Sequence, residues 1–240
     1  MPRDAPTTDL PTHAPAVQAY LCGTLDFDTT QALQRRLAYE VGGNPTCAAV
    51  VVCDHPREIT VGREGSRANI RTTRFPVRWV ARGGGVVLHT PGQVACYPVL
   101  PLDRLQLTPA DYVAGLSAIV GDLLTGFGVK SEVEGTAVRV RGRRVAHVGV
   151  AVRNGVTSFG LVLNVCPDLE LFRGIDADGD AAPVTSLQRE CPTRVRVPAA
   201  RQRLLELLAR RFDLGRLSVF HHHPTFLPRT PLHAIPARRR

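Results

Sequence analysis

The segment at residues 82–93, RGGGVVLHTPGQ, constrains the fold of this chain more than any other. Three successive glycines allow tight turns and close backbone approaches that a Cβ would prevent. Such a turn can present N–H groups to an acyl carbonyl, a carboxylate or a phosphate, and it can equally be an ordinary turn between strands. The candidate ligand-contacting residues of the segment are Arg82, Gly83, Gly84, Gly85, Val86, Val87, Leu88 and His89.

Apolar periodicity along the chain predicts helices interleaved with strands. Asp28 with Gln31 resembles a capping box, and Thr108 followed by Pro109 is typical of a second helix start. A third apolar stripe follows Pro198. Apolar runs between these helices predict strands, with Val86–Leu88 and Val94–Tyr97 as a hairpin-like pair and Asn154-Gly155 as a tight turn. We therefore expect an α/β fold with a mixed sheet flanked by helices.

Composition indicates a protein of the cytosol without a membrane span. No apolar run reaches 18 residues, and the six cysteines form no CxxC pair, which favours reduced thiols. The formal net charge is +9, but the charge is scattered, so it suits acidic protein partners better than nucleic acid. We expect a flexible leader over 1–16, one domain over 17–215 and a basic C-terminal tail over 216–240.

Several further segments occur in an order that is similar to one known family. Residues 50–63 read VVVCDHPREITVGR, residues 143–152 read RRVAHVGVAV and residues 157–165 read TSFGLVLNV. A DLxxF pattern begins at Asp168, and Tyr97-Pro98 follows the glycine-rich segment. Together these motifs resemble the lipoyl/octanoyl transferase family over roughly residues 17–215. The resemblance implies a biotin/lipoate-ligase-like catalytic domain.

The resemblance also implies a reaction and its partners. The family moves octanoyl from acyl carrier protein to a lysine of lipoyl domains, either those of 2-oxoacid dehydrogenases or the glycine cleavage H protein. The family uses no cofactor and no metal, and the resemblance implies no nucleic-acid or membrane partner. The substrate pocket implied by the matching motifs consists of the 82–89 residues together with His147, Val148, Gly149, Gly160, Leu161 and Val162.

The chain departs from the family pattern at chemically active positions. The family's nucleophilic cysteine falls on Asp178, and its lysine falls on Arg144. Phe159 stands where the family has histidine, and Thr90 where it has glycine. We expect Arg144 and Asp178 to form an ion pair within about 6 Å across the pocket.

These departures leave two functional interpretations open. The chain is either an acyltransferase with a non-standard active site, or a catalytically inactive homologue that binds acyl groups or lipoyl domains. Cys166 and Cys96 are the thiols nearest the matched motifs, and each is a candidate for a relocated nucleophile. A glycine inside a strand, such as Gly160, indicates a bulge or a close backbone approach, for instance by a substrate.

Overall fold

The computed structural model describes residues 14–44, 46–177 and 182–226, which form eleven strands and four α-helices. The strands are β1 (Ala16–Thr24), β2 (Cys47–Asp54), β3 (Glu58–Val61), β4 (Val77–Trp79), β5 (Val86–His89), β6 (Gln93–Val99), β7 (Glu132–Glu134), β8 (Ala137–Val140), β9 (Arg143–Arg153), β10 (Val156–Asn164) and β11 (Leu217–His221). The helices are α1 (Phe27–Gly43), α2 (Pro109–Gly126), α3 (Leu187–Glu190) and α4 (Val197–Arg211).

Eight strands form one mixed sheet in the order β11-β1-β2-β6-β10-β9-β8-β7. The pairs that involve β1 are parallel, and the remaining pairs are antiparallel. Strands β4, β3 and β5 form a separate three-stranded sheet. This arrangement confirms the predicted α/β fold with a mixed sheet.

Helices cover both faces of the large sheet. On one face, α2 and α4 bury Leu116, Leu123 and Leu204 in the main core. On the other face, α1 buries Phe27 and Leu37 against the sheet in a second core. Burying a leucine- or phenylalanine-sized side chain contributes about 1.5–3 kcal/mol. The second core lies beside the glycine-rich segment and forms one wall of the site described below.

The two long helices begin at side-chain caps, one of which differs from the prediction. Thr108 caps α2 and forms a reciprocal capping box with Asp111, as Pro109 in the first turn suggested. Asp26, not Asp28, caps α1, because its extended backbone lets its carboxylate accept a hydrogen bond from the Thr29 N–H at 2.8 Å. Asp28 lies in the first turn and pairs with Arg78 instead.

One predicted hairpin is present and the other is wrong. Asn154 and Gly155 both have positive φ, +51° and +73°, and join β9 to β10 as predicted. Strands β5 and β6, by contrast, belong to different sheets and do not pair with each other. The side chain of Gln93 accepts a hydrogen bond from the Thr90 N–H at 2.9 Å and donates to Leu88 O at 3.0 Å. That side chain stabilises the crossing between sheets where a hairpin ladder was expected.

The C-terminal segment contributes more structure than a tail. Strand β11 lies parallel to β1 and forms one edge of the large sheet. His221 and His222 are exposed, whereas His223 is 4% exposed and packs edge-on against Tyr20. The predicted leader lies almost wholly outside the described residues, and so does the tail beyond residue 226.

Candidate active site

The glycine-rich loop packs directly against strand β9. A Cβ on Gly84 would lie 2.9 Å from Nε2 of His147, and a Cβ on Gly149 would lie 2.7 Å from the carbonyl oxygen of Gly83. Gly84 also has φ +75°, which favours glycine on backbone grounds alone. The glycines therefore allow the loop and the strand to approach closely.

Two N–H groups of the loop are occupied by hydrogen bonds within the protein. The Gly83 N–H donates to Val150 O at 2.8 Å, and the Gly84 N–H donates to the carboxylate of Glu64 at 3.1 Å. Gly85 O accepts from the Gly62 N–H at 2.9 Å. These hydrogen bonds hold the loop in shape, and the expected contact of the glycines with a ligand stays a prediction.

Arg82 organises the interior beside this loop. It is 4% exposed, and its guanidinium donates to Gly83 O at 2.9 Å and to the Thr60 hydroxyl at 2.9 Å. Its Nη1 lies 3.3 Å from Nε2 of His147. Burying a charge costs free energy unless the charge is well hydrogen-bonded. Thr60 on β3 and the Gly83 carbonyl therefore help to stabilise the Arg82 guanidinium.

His89 lies at the end of β5 and is 2% exposed. Its Nε2 lies 2.9 Å from the Thr60 hydroxyl. That hydroxyl already accepts from Arg82, and donating its proton to Nε2 satisfies it. In the tautomer in which Thr60 donates to Nε2, the ring proton of His89 lies on Nδ1, which has no partner among the described residues. In that tautomer, His89 holds a buried N–H donor with no acceptor in the described part of the chain.

An aromatic wall surrounds His89. The rings of Phe27 and His55 lie 5.1 Å and 5.0 Å from it, centroid to centroid. His55 is hydrogen-bonded at both nitrogens, to Leu25 O at 2.7 Å and to the Tyr97 hydroxyl at 2.8 Å. The wall is thus rigid and mostly apolar, with the free donor of His89 within it.

Burial keeps both histidines neutral. The pKa of His89 lies well below its usual range, first because burial disfavours the imidazolium, and then because His55, Arg82 and His147 add positive charge nearby. Burial likewise lowers the pKa of His55, against the raising effect of its hydrogen bond to Leu25. Neutral imidazoles at this position can donate or accept hydrogen bonds without a counter-ion.

Two small internal cavities lie along the loop. The first, of about 30 Å³, lies near Arg144 and Asn164; the second, of about 10 Å³, lies near His89 and Phe27. Three residues line both, namely Val87, His147 and Val162. Each volume is close to that of one water molecule, so neither cavity has room for an alkyl chain in this structure.

The structure brings most of the predicted pocket residues to these cavities. Val86 and Leu88 line the first, while Arg82, Gly149 and Gly160 line the second. Val148 and Leu161 belong instead to the main core on the opposite face of the sheet, where they lie opposite each other in register. Strand alternation accounts for this, because neighbouring residues point to opposite faces.

Position 160 requires glycine because strand β6 lies too close to leave room for a Cβ. A Cβ there would lie 2.2 Å from the carbonyl oxygen of Cys96 and 2.8 Å from Pro98 Cδ on β6. A close backbone approach therefore exists at this glycine, as the sequence indicated, but the approaching backbone is β6 and no substrate is needed to explain it.

Arg144 holds the far end of the first cavity. It is 4% exposed, and its main chain bonds both sides of the 183–185 segment, with its N–H donating to Pro183 O and its carbonyl accepting from the Thr185 N–H, each at 2.8 Å. Ala177 lines the same cavity. Asp178 follows directly but lies outside the described residues, so the expected ion pair with Arg144 stays a prediction.

None of the six cysteines lines either cavity. All six are free thiols. Cys96 is fully buried, and burial raises its pKa to about 12, which disfavours a thiolate. Cys166 is exposed. The described residues also contain no group of three or more His, Cys, Asp or Glu side chains arranged to hold a metal.

Sequence reasoning missed several residues that hold the site. Thr60 and His55 belong to motifs that were recognised, but no role was assigned to them. Glu64, which binds the glycine loop, and Gln34, which binds the Phe159 N–H at 2.6 Å, had no signal in the sequence. Their hydrogen bonds join residues 20 and 125 positions apart, so only the fold brings them together.

Comparison with known proteins identifies the family to which this chain belongs. Residues 26–209 match the model of the lipoyl protein ligase A/B catalytic domain. The octanoyltransferase of Syntrophobacter fumaroxidans is 37% identical over 177 residues, which cover 70% of this chain and 78% of the relative. The octanoyltransferase of Synechococcus elongatus is 35% identical over 201 residues, covering 80% and 85%. The chain belongs to the lipoyl protein ligase A/B catalytic domain family.

Solved structures agree on the fold. The bi-partite lipoate protein ligase of Thermoplasma acidophilum, studied with its E2 lipoyl domain, superposes with a TM-score of 0.63 at 15% identity, over 87% of this chain and 88% of that chain. The biotin protein ligase of Aquifex aeolicus, in complex with biotin and ATP, gives 0.53 at 14% identity, over 82% and 70%. These similarities confirm the lipoate/biotin-ligase-like fold. No helix within the described ranges is long and apolar enough to cross a membrane.

Proposed function

We propose that this protein transfers an octanoyl group from an acyl carrier protein thioester to the ε-amine of a lysine on a lipoyl domain. Membership of the family, with octanoyltransferases as relatives at 35–37% identity, supports the reaction class. The lipoyl domain is that of a 2-oxoacid dehydrogenase or of the glycine cleavage H protein. The free state of all six thiols supports a reducing compartment such as the cytosol.

The observation that carries this proposal is the free Nδ1–H of His89 within the buried cavity. An acyl carbonyl placed beside it would supply the missing acceptor. The oxygen gains negative charge when the carbonyl is attacked, and a fixed donor in a dry site stabilises that charge strongly. The required tautomer is the one in which the Thr60 hydroxyl, which accepts from Arg82, donates its proton to Nε2 of His89.

The absence of a thiol from the cavity lining favours direct transfer. The lysine amine attacks the thioester carbonyl, a C–N bond forms and the C–S bond breaks. The amine proton ends on the departing sulfur of the carrier's pantetheine arm. No acyl-enzyme forms in this scheme, so binding of both partners in one complex replaces the two-step relay through cysteine.

The charge of the protein suits this pair of partners. The net charge of +9 would attract acidic carrier and acceptor domains and accelerate their encounter. The Thermoplasma acidophilum ligase, whose fold this chain shares, was studied with its E2 lipoyl domain. A docking surface for a lipoyl domain is therefore consistent with the fold.

Steady-state kinetics with octanoyl-acyl carrier protein and a lipoyl domain test the proposal. Direct transfer predicts intersecting double-reciprocal plots and no octanoyl adduct on the protein by intact mass spectrometry. His89→Phe, which fills the same space without a donor, is expected to lower kcat about 100-fold or more. Parallel plots with a trapped adduct would show a covalent mechanism, and absence of transfer would reject the enzymatic function.

A second candidate is a catalytically inactive homologue that binds acyl groups or lipoyl domains. Its specific support is the small volume of the two cavities, which leaves no room for an octanoyl chain unless side chains such as His147 move. This candidate predicts saturable binding of a lipoyl domain with no change in its mass when octanoyl-acyl carrier protein is added. The kinetic experiment above therefore separates the two.

A further inference from the structure

The two cavities and a third, larger pocket adjoin one another, because neighbouring pockets share lining residues. Beyond the two cavities described above is an open groove of about 1100 Å³ between α1 and the β9–β10 hairpin. Among the described residues, Phe159 is the one that lines both the groove and the cavity beside His89. This residue, which is 9% exposed, is therefore the wall between a small pocket and a large open one.

The backbone fixes this wall in place. Phe159 has φ +58°, a left-handed conformation that is strained for a bulky residue, inside strand β10. Its N–H donates to the buried side chain of Gln34 at 2.6 Å, and its ring stacks with Phe27 at 6.5 Å between centroids. A strained residue held by this many contacts is typical of a functional position.

The groove has the chemistry to take an alkyl chain. Its floor is apolar and includes Ala38, Val80, Ala151 and Val156. Its rim is polar and basic, with Arg35, Arg63 and Arg153. An alkyl chain that passed Phe159 would leave the pocket beside His89 and lie on this floor.

We propose that Phe159 sets the length of the acyl group by closing the pocket at the groove. This inference rests on the proposed function, because it assumes that the acyl chain enters the pocket beside His89. With the ring removed, pocket and groove become continuous, and a chain longer than octanoyl gains apolar contact. Each additional buried methylene is worth roughly a 4-fold gain in affinity.

The test compares octanoyl and dodecanoyl donors in the parent and in Phe159→Gly. Glycine removes the wall and also relieves the positive φ. We expect the ratio of kcat/KM for dodecanoyl- over octanoyl-acyl carrier protein to rise at least 10-fold. Phe159→Leu retains apolar bulk at the wall, and Trp79→Ala shortens a 62% exposed residue of the groove without touching the wall. Neither control is expected to move the ratio by more than about 3-fold.

A binding measurement separates this inference from the proposed function. Affinities for S-octanoyl- and S-dodecanoyl-pantetheine are measured on the same proteins, with circular dichroism as a check of folding and Phe159→Ala as the substitute if the glycine variant does not fold. An unchanged dodecanoyl preference in a folded variant would overturn the role of Phe159 while leaving transfer intact. Altered binding without transfer by any variant would reject the proposed function and retain the role of Phe159. Absence of binding by all variants would reject both.

Discussion

The Thr60 hydroxyl lies 2.9 Å from Nε2 of His89, deep in the protein. The same hydroxyl accepts a hydrogen bond from Arg82, so one oxygen links a buried cation to a buried imidazole. When the hydroxyl donates its single proton to Nε2, the ring hydrogen of His89 lies on Nδ1. A residue on the small sheet thereby positions the donor on which the proposed function depends.

Replacing Thr60 by valine is expected to destabilise the protein and to reduce transfer. Valine has the same shape but removes one of several hydrogen bonds of Arg82 and the Nε2 partner of His89, at about 1–3 kcal/mol for a buried group left unsatisfied. Urea unfolding measures the decrease in the free energy of unfolding, and a lower kcat indicates that the His89 imidazole is mispositioned. Thr60→Ser retains the hydroxyl and should recover most of kcat. Equal kcat values for the valine and serine variants would contradict the positioning role.

Stability is expected to fall as the pH drops below about 6.5. His55 and His89 have pKa values lowered by burial, so the folded state binds fewer protons than the unfolded state, whose histidines titrate near 6.5. The contribution is complete above that pH and is lost below it, with a slope of up to ~1.4 kcal/mol per pH unit for each histidine. Urea unfolding between pH 5 and 8 measures it.

A matched pair of substitutions isolates the effect of pH. His89→Gln removes one buried titrating group and should reduce the slope below pH 6.5, although it also lowers stability at every pH. His222→Gln changes an exposed histidine and should leave the slope as it is in the parent. An identical slope in all three proteins would show that other groups control the acid sensitivity.

Gly160→Ala is expected to destabilise the protein by about 1–3 kcal/mol or more, through overpacking against β6. The added Cβ would lie 2.2 Å from a carbonyl oxygen, and a strand backbone cannot move away cheaply. Gly43→Ala is the control, since a Cβ there meets nothing within 4 Å. Thermal unfolding of both variants checks the difference. A tolerated Gly160→Ala would mean that β6 and β10 are less tightly packed than the structure shows.

The sequence predicted much of the fold because its strongest signals are local. Thr108 with Pro109 defined the start of α2, and Asn154-Gly155 the β9–β10 turn, since both depend on neighbouring residues. The pairing of β5 with β3, and not with β6, depends on contacts between distant residues such as Glu58 and His89. Strand β11 was missed for the same reason, as its partner among the described strands is β1, near the other end of the chain.

The site was predictable in its residue types and less so in its geometry. The motif indicated His89 and Arg82, and both lie at the second cavity. The Gly83 and Gly84 N–H groups donate to Val150 and Glu64. The glycines alone did not predict these hydrogen bonds. Nor could the sequence reveal that Phe159 adopts a positive φ, because a phenylalanine in a strand pattern predicts ordinary extended backbone.

Positions 144, 159 and 178 carry Arg, Phe and Asp where the resemblance implied Lys, His and Cys. Arg144 lines the first cavity next to Ala177, and position 178 follows in the chain. If position 178 faces Arg144, Asp178→Cys with Arg144→Lys would place a thiol beside an ammonium, which lowers a thiol pKa. Phe159→His restores the third residue of the family pattern. We expect this triple variant to form an octanoyl thioester when mixed with octanoyl-acyl carrier protein, as seen by intact mass spectrometry.

Two comparisons make this result interpretable. The parent should form no stable adduct, because an acyl-aspartyl anhydride hydrolyses readily, and the same triple background with Asp178→Ser should form none either, since serine lacks an easily ionised thiol. An adduct mapped to Cys166 in the parent would show that the nucleophile has moved. If the triple variant stays unlabelled while folding normally, position 178 does not face Arg144, and the expected pairing of Arg144 with Asp178 fails with it.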